Sequence, residues 1–128
     1  AEDYLYHGWY WPEKDSLGVF RWATRGSSVR FESGQSLSGL LIVSTETRSS
    51  MDLELGIHVY GWSDTWYCSE PRFSVRRSAA RASSGAVRFP SPLPSGRWLV
   101  VFEADQSVLE SGMFPRRLAW ALRQIEVF

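Results

Sequence analysis

Disulfide chemistry is missing from this chain. Its 128 residues include one cysteine, Cys68, so no intrachain bridge can form. That argues against a small secreted scaffold stapled by cystines and is compatible with a reducing compartment. Histidine is nearly as scarce. His7 and His58 stand far apart, and neither shares a metal-ligand spacing with Cys68. No transition-metal site and no cofactor are expected, and no dense aspartate loop of the calcium-holding kind occurs. A Ser–His or Cys–His signature for nucleophilic catalysis is lacking, as is a glycine-rich loop for phosphate. Glu13, Asp15, Glu54, Asp64 and Glu70 leave a glycosidase-like pair open in principle, because such a pair depends on separation in space rather than in sequence. The expectation is a chain without catalytic machinery of its own.

Charge of one sign is lacking too. Fourteen basic residues balance fourteen acidic ones. A nucleic-acid binder usually carries a basic excess to displace counterions, so that partner is not expected. Lysine is almost absent: Lys14 is the one lysine among the basic residues, and the rest are arginine. Either the bidentate geometry of arginine is in use, or the bias reflects a GC-rich genome. Long hydrophobic runs are absent as well. Stretches such as Leu40 to Val43 and Trp98 to Phe102 fall far short of the roughly 18 apolar residues of a membrane span. The acidic start Ala1-Glu2-Asp3-Tyr4 lacks the charged-then-apolar opening of a signal peptide. A cytoplasmic location is therefore expected, for a chain that begins without Met and reads as an excised or processed domain.

Aromatics, by contrast, are abundant: seven Trp, five Tyr and seven Phe. They suit strands, because flat side chains pack well on a pleated surface. They also suit sugar-binding surfaces, where a ring stacks on apolar C–H faces and a polar handle reaches hydroxyls. Composition fits both uses.

Short strands separated by turn signals fill the sequence. Strands are expected at Gly18 to Ala23, Ser27 to Glu32, Leu37 to Ser44, Met51 to Tyr60, Phe73 to Arg76, Ala86 to Phe89 and Gly96 to Ala104, with a short one possible around Trp66 to Cys68. Val29 and Phe31 alternate with Arg30 and Glu32, and Leu53, Leu55, Ile57 and Val59 with Asp52, Glu54, Gly56 and His58. That alternation marks half-buried strands and places His58 on an exposed face. Pro90, Pro92 and Pro94 should close the strand before them, since proline cannot donate to a ladder. Asp105 to Pro115 reads as a loop. A last strand from Arg117 should bulge near Gln124 before Ile125 and Val127, although the Ala, Leu and Arg of Leu118 to Ile125 also allow a helix. About eight or nine such strands predict one all-β domain over residues 1–128, an antiparallel β-sandwich. A domain of this length can bury roughly two-thirds of its unfolded surface and needs no staple.

The aromatics fall into three groups. Phe20, Trp22, Trp98 and Trp120 sit on good strands and are expected in the core. Trp9, Tyr10 and Trp11 are consecutive and cannot all face inward from an extended segment. Trp62 and Trp66 bracket Ser63, Asp64 and Thr65 like a loop tip, with Tyr67 following. Trp9, Trp11, Trp62, Trp66 and Tyr67 are thus candidates to stack on a ligand, with Glu13, Arg21 and Asp64 as polar contacts. Each of these rings could equally serve packing.

Two segments carry a family resemblance. His7-Gly8-Trp9-Tyr10-Trp11-Pro12-Glu13, followed by Phe20-Arg21-Trp22-Ala23, resembles the opening of bacterial β-sandwich accessory modules: Gly-aromatic-Tyr-x-x-Glu, then Phe-Arg-Trp-Thr/Ser. The close, Phe114-Pro115-Arg116-Arg117-Leu118-Ala119-Trp120-Ala121-Leu122-Arg123-Gln124-Ile125, is similar to their Asp-x-Arg-x-Leu-Gly-x-x-Leu-x-x-Ile, with Phe114 in place of Asp and Ala119 in place of Gly. Phe89 to Pro94 before Trp98 to Val101 matches their Leu-Pro stretch more loosely. Such modules accompany glycosyltransferases or methyltransferases of surface-polysaccharide synthesis. The resemblance implies a jelly-roll-like sandwich and a non-catalytic role in glycan binding, with a glycan and a parent enzyme as partners. The alternative is a structural domain that docks on a parent enzyme or self-associates.

Overall fold

The structure is a computed structural model, and it describes residues 4–45, 53–62, 70–78 and 84–128. Two antiparallel sheets pack face to face. One runs in the order β1 (Glu13–Asp15), β2 (Gly18–Ala23), β11 (Trp120–Val127), β4 (Leu37–Thr45), β7 (Ser84–Leu93). The other runs β3 (Gly26–Ser33), β8 (Gly96–Ala104), β5 (Glu54–Gly61), β6 (Phe73–Ser78). A small ribbon, β9 (Val108–Leu109) with β10 (Arg117–Leu118), stands apart. From β2 to β5, and again from β6 to β8, each successive strand lies in the opposite sheet, whereas β1 with β2 and β5 with β6 pair as neighbours within one. That crossing habit gives the sandwich its jelly-roll-like character. The eight longer strands are those expected from the sequence; β1, β9 and β10 are short additions.

Period-two burial explains the sheets. Leu55, Ile57 and Val59 on β5 face inward, as do Trp98, Val100, Phe102 and Ala104 on β8. Register aligns them in rows: Val29, Val100 and Val59 form one, and Ser27, Phe102 and Ile57 the next. Leu40 and Ile42 of β4, with Trp120, Leu122 and Ile125 of β11, close over them from the other sheet. Each such side chain contributes about 1.5–3 kcal/mol on burial.

Three expectations change, and one holds against its alternative. First, β7 runs through Pro90 and Pro92 rather than stopping before them. It is the edge strand, and its pairing with β4 jumps from Gly39↔Arg88 to Leu37↔Leu93. Edge position and irregular register are the two settings in which a strand tolerates proline. Second, the expected last strand forms and the helical alternative does not: β10 ends at Leu118, β11 follows from Trp120, and the bulge lies between Leu122 and Gln124. Third, Trp22 is buried, but outside the main core. Trp120 pairs with Ala23, which faces inward, so Trp22 opposite Ala121 faces outward under Tyr10 and Phe20. Fourth, β5 starts at Glu54, and the possible strand at Trp66 to Cys68 lies outside the described residues.

The N-terminal segment spans the open side of the sandwich. Tyr4 to His7 runs along the β3 edge: Tyr6 N donates to Ser28 O at 3.0 Å, Ser28 N to His7 O at 2.8 Å and Arg30 N to Tyr4 O at 2.8 Å. Beyond Gly8 the chain moves to β2, where Tyr10 N donates to Trp22 O at 2.9 Å and Thr24 N to Gly8 O at 2.9 Å. Gly8 has φ +86°, and a Cβ there would lie 2.2 Å from Gly26 O and 2.6 Å from Ser27 Cα. Only glycine fits. Trp9, set by that turn, packs its indole against Phe102 (centroids 6.5 Å apart) and Trp120 (5.5 Å). Gly8→Ala should destabilise by at least about 1–3 kcal/mol from the backbone conformation alone. Gly34→Ala, with open space around it, should change stability by under about 1 kcal/mol. Urea denaturation of the two variants checks this; equal midpoints would contradict the crossing.

Candidate ligand groove

Alternation on β3 turns Arg30 and Glu32 outward while Val29 and Phe31 face the core. Register then sets Glu32 opposite Arg97, and Arg30 opposite Leu99, which is itself opposite Tyr60. Trp62 continues past the end of β5, its N–H donating to Arg97 O at 3.0 Å, so its indole is brought to the Arg30–Glu32 end of the sheet. The N-terminal segment supplies the remaining wall. Tyr6 meets Trp62 edge to face, with centroids 5.1 Å apart and planes at 85°. The Arg30 guanidinium carbon lies 4.8 Å from the Tyr6 centroid and 5.8 Å from that of Trp62. Both fall within cation–π range. Tyr4, Arg30, Glu32, Trp62 and Arg97 line a cavity of about 330 Å³, at the low end of small-ligand sites.

The proposed site residues do not assemble in one place. Trp62 stands in the groove. Trp9 instead lies between the sheets: its rim contacts go to Phe102 and Trp120, and its Nε1 donates to Ser28 O at 2.9 Å. Packing therefore claims the ring that was a candidate for stacking, because the Gly8 turn aims it inward. Trp11 is 83% exposed, but it belongs to the β1–β2 side of the other sheet. Glu13 accepts a hydrogen bond from Arg116 Nη1 at 3.1 Å, and Arg21 Nη1 donates to Tyr10 O at 3.2 Å. Asp64, Trp66 and Tyr67 lie outside the described residues. Tyr4 and Tyr6 belong to the aromatic group at the N-terminus but were not among the candidate contacts, and Arg30, Glu32 and Arg97 were not proposed as site residues. The alternation of β3 already exposed Arg30 and Glu32, but nothing local linked them to two tyrosines over twenty positions earlier.

On the other sheet, Arg116 ties the two motif-bearing ends together. Its Nε and Nη2 donate to Glu110 Oε1 and Oε2 at 3.0 and 2.7 Å, its Nη1 to Glu13, and its guanidinium covers the Tyr10 ring. Hydrogen bonding to Glu110, and then to Glu13, pushes the Arg116 pKa up. Glu13 and Arg116 occupy the Glu and Arg of the two family-like motifs, so those positions act here as a structural clasp. Among the described residues, no group of three His, Cys, Asp or Glu side chains could hold a metal ion. His58 lies on the outer sheet face as expected, with Nδ1 2.7 Å from Ser74 Oγ and Nε2 3.3 Å from Glu103 Oε2. No helix among the described residues is long and apolar enough to cross a membrane.

No known family matches the chain, and neither does any curated protein. A solved structure does resemble it: the crystal structure of exo-β-1,3-galactanase from Phanerochaete chrysosporium with galactose. The likeness has a TM-score of 0.54 at 18% identity and covers 94% of this chain. The chain spans about a quarter of the galactanase's length (26%). The fold is thus an all-β architecture also present in a carbohydrate-active protein.

At the end of β1, Asp15 is clasped by Arg123, whose Nη1 donates to Oδ1 at 2.9 Å, and it caps the turn by accepting from Leu17 N at 2.9 Å. The Arg123 hydrogen bond holds the Asp15 carboxyl below its ordinary value of 3.8. A depressed folded-state pKa contributes stability above the unfolded value, and that contribution fades as pH falls through the folded one. Acid unfolding of Asp15→Asn should therefore show a shallower loss of stability below about pH 4 than the parent chain. Superimposable acid limbs would show that the clasp contributes nothing.

Proposed function

We propose that this chain is a non-catalytic carbohydrate-binding module, and that the groove formed by Tyr4, Tyr6, Arg30, Glu32, Trp62 and Arg97 is where the glycan sits. One observation carries this reading: an aromatic wall and unlike polar groups converge on a cavity of about 330 Å³. A ring such as Trp62 offers a flat apolar face to sugar C–H groups, while Glu32 and the arginines can accept from and donate to hydroxyls. The likeness to the galactanase supports a carbohydrate setting through fold alone, and sandwiches host unrelated roles, so the groove carries the weight. The module would act beside a parent enzyme of glycan synthesis, in the cytoplasm, as the family resemblance implies.

A glycan array with the purified chain tests this. A defined hit is expected, and Trp62→Ala should weaken it about three- to tenfold without lowering the melting temperature appreciably. A blank array would overturn the proposal.

A second reading has its own support. Trp11, Leu17, Met113 and Phe114 are 83%, 80%, 88% and 86% exposed, and apolar side chains left in solvent often mark a protein interface. The chain would then dock on a parent enzyme or on a second copy. Sedimentation velocity separates the cases for self-association. A dimer dispersed by Phe114→Ser favours docking, whereas a monomer across the micromolar range removes self-association.

A further inference from the structure

We infer that the groove selects carboxylate-bearing saccharides, and that Arg30 is the residue that reads the carboxylate. This deepens the glycan reading above and rests on it.

Arg30 differs from most other arginines of the chain in how it is held. Arg116 and Arg123 are committed to carboxylates, Arg76 pairs with Glu54, and Arg25 and Arg77 donate to backbone carbonyls. The Arg30 guanidinium has ring contacts alone: it lies over Tyr6 and Trp62, and no acceptor among the described residues takes its N–H groups. Cation–π contact with two rings restrains the guanidinium from two sides while its N–H donors keep no acceptor among the described residues. The donor edge of a guanidinium matches the two oxygens of a carboxylate in a bidentate pair, the strongest hydrogen-bonding arrangement open to arginine. Because the side chain is already ordered by the rings, less rotamer freedom is lost when the ligand binds.

Among the described residues, the cavity is lined by the Arg30 and Arg97 guanidinium groups and by one carboxylate, Glu32. Glu32 is placed to accept from hydroxyls, and Trp62 to support the ring, so the three groups address three parts of one uronate or sialate residue.

The test uses isothermal titration of the full chain. Probes are tetragalacturonate, a hyaluronan tetrasaccharide and sialyllactose, each beside its carboxyl-reduced or methyl-esterified counterpart, with a sulfated oligosaccharide as charge control. At least one carboxylate probe should bind about tenfold or more tightly than its neutral counterpart, the worth of a charge-assisted hydrogen-bonded pair. Arg30→Gln should abolish that preference and leave the weaker neutral affinity in place. Arg30→Lys, which keeps charge but loses the fork, should recover only part of it. Melting temperatures of the variants show whether each is folded. Equal binding of acidic and neutral probes, unaffected by Arg30→Gln, would overturn this inference and leave the glycan reading intact. Sulfated and carboxylated probes bound alike would show plain charge attraction and overturn it too. No binding by any saccharide would remove both.

Discussion

Gly8 carries the chain from the edge of one sheet to the edge of the other, and the indole of Trp9, aimed by that turn, seals the core between them. The constraint is steric before it is energetic. Gly26 O and Ser27 Cα leave no room for a Cβ at residue 8, so the crossing depends on one residue type. Once made, it has consequences on both sides. Trp9 completes an aromatic group with Phe102 and Trp120. Tyr4 and Tyr6 are held beside β3 by backbone hydrogen bonds to Ser28 and Arg30. The same segment that closes the sandwich therefore builds one wall of the groove.

That coupling explains how a flat sheet face becomes a groove. On its own, the outer face of β3, β8 and β5 would offer scattered polar side chains to water. The added N-terminal segment sets Tyr6 against Trp62 and traps the Arg30 guanidinium over both. Side chains from a strand, an edge segment and a strand end converge there. The opposite sheet uses its polar groups differently: Arg116 joins Glu13 and Glu110, and Arg123 joins Asp15. There the arginines hold the chain's ends to the body, which accounts for part of the arginine bias by geometry.

Much of the fold was legible from residue order. Clean alternation on β5 and β8 marked the inner face of their shared sheet, and Gly and Ser clusters marked most strand ends. Proline misled at β7, because a sequence does not say which strand is an edge, and edges tolerate the missing donor. Trp22 misled because strand position reveals which residues share a face but not which face is the core. Only the pairing of Ala23 with Trp120 decides that. The candidate groove was legible in one residue, Trp62. Trp9 looked equally good, since three consecutive aromatics cannot all point inward, yet the steric demand at Gly8 settles which one does. Arg30, Tyr4 and Tyr6 became neighbours through strand pairing between distant segments, which no local pattern reports.

Residue-resolved amide hydrogen exchange tests the crossing most directly. Ser28 and Arg30 donate to His7 O and Tyr4 O, and Thr24 donates to Gly8 O. If the N-terminal segment is an integral part of the sandwich, these three amides exchange as slowly as those of β8, and all three become fast together in Trp9→Ala while β5 and β8 stay protected. Fast exchange at Ser28, Arg30 and Thr24 in the parent chain, beside a slow β8, would mean that the segment is not held to the sheets and that the groove lacks its tyrosine wall.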